Sequence, residues 1–412
     1  MTQPPTNILD FDAALAEVLA HAAHVHPEQT ESKSLLDCLS RTLAETLTAD
    51  RDQPPFDRST RDGFAIKSAD SAAALTIAGQ IRAGQHWSGK ALAPGTAIEI
   101  MTGAPVPEGA DAVVMVEHVE RTGDTIRLAD GRTLHPGENI VPRGAEARAG
   151  DLLLPPGTIL QAAHIALAAA CGRARLNVFC KPTVAIVATG DELVELTATP
   201  APHQIRNSNS YSLAALVAQA GGEPMRFPIA PDSRPELEAI IRQARTADLL
   251  LLSGGVSMGE YDLVEEVLLS LGAEFFFTGV RMQPGKPVVF GRLPPSDNRP
   301  ARFFFGLPGN PISTQVTFHC FVESLLRALS GASMYPPHFA QATLAEDAPG
   351  KPGLTRILPA HLTSDRARPS IKLVGWQGSG DLAANARANC YAVLPPDRPH
   401  FAAGDVITVL MR

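Results

Sequence analysis

Four short stretches between residues 188 and 313 combine charged side chains with glycine or proline, a mixture suited to gripping a charged small molecule. The first, ATGDEL (188–193), sets Asp191 and Glu192 just behind an apolar run. The second, SGGVSMGEYD (253–262), places Gly254, Gly255 and Gly259 around Ser257 and ends on Asp262. Such glycines free the backbone to wrap an anion with its amides. The third, MQPGKP (282–287), holds Lys286 in a rigid Pro-Gly turn. The fourth, GLPGNPIS (306–313), is fixed by Pro308 and Pro311 and leads into a helix. Glu192 and Asp262 are hard oxygen ligands, suited to Mg²⁺ bridging phosphate oxygens. Lys286, serine hydroxyls and glycine amides suit the phosphates themselves. Proline follows Lys286, so this is no Walker loop, and no GxGxxG fingerprint follows the first strand of this region. Taken singly, a Gly-Gly pair reads as chain reversal and an Asp-Glu pair as a solvated turn or helix cap. Four such loops in one sheet favour a site.

The elements that must carry these loops run in alternation from residue 181 to 335. Expected strands are Thr183–Thr189, Arg226–Ala230, Leu249–Leu252, Phe275–Phe277, Val288–Phe290 and Phe303–Phe305. Expected helices are Ser210–Ala220, Pro235–Arg245, Asp262–Leu271 and a long one from Ile312. This rhythm predicts a doubly wound, mostly parallel sheet, in which ligands bind beyond the carboxyl ends of the strands. Upstream, Phe11, Leu15, Val18, Leu19 and Ala22 repeat at helical spacing, and so do Leu35, Leu36, Leu39, Leu43 and Leu47, predicting two amphipathic helices. A further helix is expected over Leu160–Ala170. After Pro54–Pro55, short runs (Leu75–Ile81, Ala97–Met101, Ala112–Glu117, Thr125–Leu128) between Gly/Pro turns predict a β-rich segment. The tail reverts to short strands, as in a small barrel. The partition is a helical domain (1–50 with 144–180), an inserted β-rich domain (51–143), an α/β domain (181–335) and a C-terminal β-barrel domain (336–412).

Composition narrows the function. The 412 residues include 35 basic and 43 acidic side chains, a net charge of −8, so phosphate backbones are not generally attracted and nucleic acid is not expected as a partner. Cys38, Cys171, Cys180, Cys320 and Cys390 are scattered without a CxxC, arguing against a disulfide framework and a zinc or iron–sulfur site. No basic stretch leads an apolar run at the start, and no apolar run reaches the ~18 residues that span a bilayer; a reducing cytoplasm is expected. His21, His24 and His26 read as a solvated helix end rather than a metal cluster, Cys390 as a buried strand thiol, and Trp87 and Trp376 as packing.

The ordered set of motifs resembles the molybdopterin molybdenumtransferases, the MoeA proteins and the E domain of gephyrin. PPFDRSTRDGFAI (54–66), MTGAPVPEGADAVVMVE (101–117), GENI (137–140), SNSYSL (208–213) and WQGSGDL (376–382) accompany the four loops, covering nearly the whole chain. The resemblance implies an elongated homodimer whose cleft gathers Asp62 and Thr102 toward Glu192, Asp232, Asp262 and Lys286. It implies that adenylyl-molybdopterin (molybdopterin-AMP) and molybdate are converted to molybdenum cofactor and AMP. Transient contact with other molybdenum-cofactor proteins would accompany such a role. Molybdate is a tetrahedral dianion, for which Lys286, Ser379 and loop amides are suitable ligands. Glu192 and Asp262 would hold Mg²⁺ against the pyrophosphate link. Some positions depart from the family pattern: Glu146 stands for an aspartate, Val141 for an arginine, Gln283 for a base and Leu354 for a barrel arginine. Arg281 and Arg356 are the nearest substitutes. Two other readings are a molybdopterin adenylyltransferase, suggested by the α/β segment alone, and a non-catalytic scaffold.

Overall fold

The computed structural model describes residues 6–129, 131–255, 263–296, 300–333, 335–364 and 368–412. Their contacts divide the chain into two compact units. One comprises residues 1–44, 156–161 and 176–412, the other residues 45–155 and 162–175.

In the first unit, the apolar run Thr183–Ala188 and the strand Leu249–Ser253 are buried along nearly their whole length. Such continuous burial requires cover on both faces of a sheet. The sheet has six strands in the order Glu223–Arg226, Thr183–Ala188, Leu249–Ser253, Arg302–Leu307, Val289–Leu293 and Glu274–Phe277. The first four are mutually parallel and the last two pair antiparallel. Successive side chains alternate between two cores, as the pleat dictates. Val184, Ile186, Leu249, Leu251 and Phe305 pack with Leu213, Val217, Val316, Phe321 and the N-terminal helix residues Phe11, Ala14 and Val18. Ala185, Val187, Leu250, Leu252 and Phe304 face Leu237, Ile241, Val264 and Val267. The helices lie at Asn209–Gln219, Arg234–Ala244, Leu263–Ser270 and Pro311–Leu329, the last interrupted by a π-helical turn at Phe318–Val322.

The same unit contains a closed barrel of five strands. Thr355–Thr363, Ser370–Leu373, Phe339–Leu344, Val406–Met411 and Cys390–Leu394 follow one another, and the last pairs back with the first. Leu344, Leu358, Ile371, Leu394 and Val409 fill it. Cys390 is a fully buried strand thiol, as expected.

The second unit is built on a six-stranded sheet, ordered Ala112–Met115, Gly63–Ile66, Thr96–Ile100, Leu75–Ile81, Thr125–Leu128 and Val119–Thr122. The expected strands are all present, joined by two unforeseen ones. Gly63–Ile66 is buried throughout, and a Cβ on Gly63 would lie 1.8 Å from the Val114 carbonyl oxygen, so only glycine allows that approach. The helix Ala162–Ala170 belongs to this unit.

Three expectations are corrected. The helix expected over Leu35–Leu47 does not form: Leu35–Cys38 is one 3₁₀ turn, Ser40 takes φ 62°, and Leu47–Thr48 is a strand paired with Leu152–Leu154. Leu36 and Leu39 are 81% and 55% exposed while Leu43 and Leu47 are buried, so the leucine spacing marks no common face. Pairing to distant backbone, through Thr42 with Ile159 and Leu43 with Val178, outweighs local helix preference. The strand expected at Arg226–Ala230 is Glu223–Arg226, because pairing starts with Glu223 opposite Thr183. His21 is not simply solvated: its ring stacks on Phe276 at 3.9 Å between centroids, and it pairs with Glu17 at 3.3 Å.

Candidate functional site

At the carboxyl ends of Thr183–Ala188, Leu249–Ser253 and Arg302–Leu307 the sheet opens into a cavity of about 1120 Å³. Of the residues expected at a site, Glu192, Asp232, Gly254, Gly255, Pro308 and Pro311 line it. The loops holding them are tied tightly together. The Thr189 amide donates to the Ser253 carbonyl at 3.0 Å, and the Gly254 amide to the Leu307 carbonyl at 3.2 Å. Gly254 has φ 95°, and a Cβ there would sit 2.5 Å from the Thr189 carbonyl oxygen, so the loop requires glycine. Asp191 Oδ1 accepts the Asp232 amide at 3.1 Å, fixing the two acidic loops to each other.

Lys286 is exposed and does not line the cavity, although its neighbour Pro287 does. The Lys286 carbonyl accepts from the Val280 amide at 2.9 Å, which holds the base of that turn. Ser379 is likewise one residue outside, next to the lining Gly380. Its carbonyl accepts the Ile312 amide at 2.9 Å, linking this barrel-domain loop to the start of the Pro311 helix. Ser257, Gly259 and Asp262 lie outside the described residues.

Asp62 and Thr102 belong to the other unit, where they form a pair of their own. The Thr102 amide and hydroxyl both donate to Asp62 Oδ1, at 2.6 and 2.8 Å. The amide and then the hydroxyl hold the Asp62 carboxyl below the usual carboxylate range.

Charge along the cavity is uneven. Glu192, Asp232 and Glu266 line it against Arg206 alone among the described basic residues. The helix Asn209–Gln219 points its amino end at the same space, since Ser208 and Asn209 are in the wall. Helix amino ends favour anions. Thr189, Asn207, Asn209 and Ser253 also line the cavity; ATGDEL and SGGVSMGEYD contain Thr189 and Ser253 with no role given to either, and Asn207 lies outside the motifs. Asn209 stands within SNSYSL, so its signal was present without a role attached to it.

The departing residues fall as follows. Arg281 pairs with Asp10 at 3.0 Å, an exposed ion pair that occupies the group proposed as a substitute base. Arg356 stands opposite Gln283, through a two-residue parallel pairing of Met282–Gln283 with Thr355–Arg356, and donates to the Pro349 carbonyl. Glu146 pairs with Arg58 at 3.1 Å.

Known proteins provide a framework for this geometry. Residues 9–172 match the MoeA N-terminal region (domains I and II), residues 185–328 a probable molybdopterin binding domain, and residues 341–411 the MoeA C-terminal region (domain IV). The molybdopterin molybdenumtransferase of Nostoc sp. is 37% identical over 394 residues, covering 93% of this chain and 89% of its own. That of Haemophilus influenzae is 34% identical over 414 residues, covering 98% of each. The crystal structure of the molybdopterin biosynthesis moeA protein from Pyrococcus horikoshii superposes with TM-score 0.78 at 27% identity, covering 98% of this chain and 100% of that one.

Proposed function

Because the chain belongs to the molybdopterin molybdenumtransferase (MoeA) family, we propose that its cavity binds adenylyl-molybdopterin, accepts molybdate and releases molybdenum cofactor and AMP. The observation that carries this reading is the convergence of Glu192, Asp232, Gly254, Gly255, Pro308 and Pro311 on one space at the carboxyl ends of a parallel sheet. A cavity of about 1120 Å³ is ample for a pterin joined to a nucleotide. The reaction has two parts: molybdate exchanges oxygen ligands for the dithiolene sulfurs, which sets water free, and water cleaves the phosphoanhydride to release AMP. Neither changes an oxidation state, so no redox-active side chain is needed.

The wall also supports a role for Mg²⁺. A substrate bearing phosphates meets three carboxylates here against one arginine and one helix amino end, a balance of charge that a cation would correct. Glu192 and Asp232 offer hard oxygens, and we assign the cation to Glu192 and Asp262. Mg²⁺ takes one or two protein carboxylates and completes its shell with phosphate oxygens and water, which suits a pair of this kind. When bound, it would neutralise charge on the phosphates joining AMP to the pterin. The chain's own groups hold and orient the substrate: Gly254 and Gly255 let the backbone approach closely, Pro308 and Pro311 stiffen the opposite loop, and Lys286 and Ser379 attract the oxyanion from the border. Asp62 and Thr102 belong to the same reading as further site residues.

The family reading extends to a cytoplasmic homodimer and to the four-part domain division. No helix among the described residues is long and apolar enough to cross a membrane.

The direct test supplies adenylyl-molybdopterin, molybdate and Mg²⁺ to the purified protein and measures molybdenum cofactor and AMP together. Stoichiometric formation of both is expected, with loss of activity on chelation of Mg²⁺. AMP without molybdenum incorporation would refute the transfer. Rapid adenylylation of molybdopterin from Mg-ATP, without molybdate, would favour an adenylyltransferase.

A further inference from the structure

Asn209 carries a further inference about the same cavity. It is the first residue of the helix Asn209–Gln219 and is 9% exposed. Its side-chain amide donates twice: to Ser253 Oγ at 3.0 Å and to the Gly309 carbonyl at 2.8 Å. Those acceptors are 44 and 100 residues away in sequence. One ends the central strand Leu249–Ser253; the other lies in the loop between Pro308 and Pro311. Both acceptors line the cavity, as does Asn209 itself. The two loops approach closely here, since a Cβ built on Gly309 would stand 3.6 Å from the Gly254 Cα.

An asparagine has two N–H groups on one nitrogen, and this geometry uses both. Among the described residues the carboxamide oxygen has no hydrogen-bond partner, and neither does the hydroxyl of the neighbouring wall residue Thr189, which is 4% exposed. The side chain is therefore held entirely through its donors. No other residue of similar size offers two N–H groups at that reach: aspartate has none when ionised, and leucine and alanine have none at all.

We propose that Asn209 is a positioning residue that clasps the Ser253–Gly255 loop to the Pro308–Pro311 loop and thereby sets the width of the substrate cavity. The inference rests on that cavity being the substrate site. Unlike Glu192 or Lys286, Asn209 acts through two loops and not through charge. A misplacement of about 1 Å in a positioned group is enough to cost ~10²-fold in rate, so a clasp of this kind has functional weight.

The test uses the full-length protein with Asn209→Asp and Asn209→Ser, AMP as the binding probe and backbone hydrogen exchange as an independent readout. At pH 8 the aspartate variant presents a carboxylate to a carbonyl and loses both donations. AMP affinity is expected to fall about 10-fold or more, and amides at 309–313 to exchange at least about 10-fold faster, while the sheet strands keep their protection. As pH falls and the introduced carboxyl takes up a proton, it regains one donor, so affinity and protection should recover in part. Asn209→Ser, too short to span to Gly309, should show the same losses at pH 8 without the recovery, and it keeps the test open if the aspartate variant does not fold. Unchanged exchange at 309–313 in a folded variant would overturn the clasp. So would faster exchange spread evenly over the whole sheet, which is the mark of a merely structural residue. Exchange does not depend on turnover, so a chain unable to transfer molybdenum would still report on the clasp.

Discussion

Glu192 and Gly254 make opposite contributions to the cavity, and their variants should separate accordingly. Glu192 is exposed and supplies charge, so Glu192→Gln should preserve stability while slowing cofactor formation about 10²-fold, the scale of a lost transition-state charge partner. A variant retaining the native rate would remove Glu192 from the metal role. Gly254 supplies conformation. With φ 95° and the Thr189 carbonyl 2.5 Å from any added Cβ, Gly254→Ala should cost roughly 1–3 kcal/mol in denaturant unfolding. A stability equal to the parent would mean that the loop relaxes freely. Lys286 is a third case, because it borders the cavity without lining it. If it attracts the oxyanion, Lys286→Ala should raise the molybdate concentration needed for half-maximal rate while leaving AMP affinity unchanged. An unaltered molybdate dependence would exclude it.

The elements explain why these residues meet. Thr183–Ala188 and Leu249–Ser253 are buried on both faces, so their carboxyl ends are held in fixed register, Val184 beside Leu249 through Ala188 beside Ser253. Leu251→Ala, at a fully buried position in the central strand, should lower stability by about 2–5 kcal/mol and loosen every loop that depends on that strand. Thermal or denaturant unfolding would check it, and a smaller loss would indicate that the core collapses into the gap. The long helix from Pro311 carries a second, pH-dependent contribution. Burial raises the Glu323 carboxyl, but the His319 hydrogen bond at 3.2 Å, the His319 charge and Arg327 more than reverse this and hold it below the usual range. A carboxyl with a depressed folded pKa stabilises above its unfolded pKa, and that stability is lost as pH falls through the folded value. Glu323→Gln should therefore flatten the acid side of the stability profile. An identical acid slope in parent and variant would rule out this contribution.

At the scale of the whole molecule the chain is acidic, with net charge −8, while its proposed substrates are anions. Long-range steering therefore opposes binding, and affinity must come from local donors and a cation. Raising ionic strength should increase the association rate of AMP by screening this repulsion, since exposed charges more than about 10 Å apart are largely screened at 0.1 M salt. Slower association in salt would point to a positive patch at the cavity mouth. The family reading also expects two chains per particle, and sedimentation should then give twice the 43.6 kDa chain mass. A monomer at working concentration would contradict the homodimer.

Local chemistry and periodicity made much of this protein legible in advance. The glycine, proline and carboxylate loops and the apolar strands ahead of them were readable because strand burial and tight turns impose residue types directly on short segments. The short strands Leu75–Ile81 and Thr125–Leu128 were readable for the same reason. Tertiary structure decided what depended on distant partners. The leucines from 35 to 47 repeat like a helix, yet Leu43 and Leu47 pair with residues more than 100 positions away, and pairing energy outweighs propensity. Lys286 and Ser379 each stand next to a lining residue, Pro287 and Gly380, without lining the cavity themselves, a placement that motif spacing does not record. Asn209 became meaningful only when folding brought Ser253 and Gly309 within reach of one amide, because a hydrogen bond depends on distance in space and sequence spacing carries no record of it.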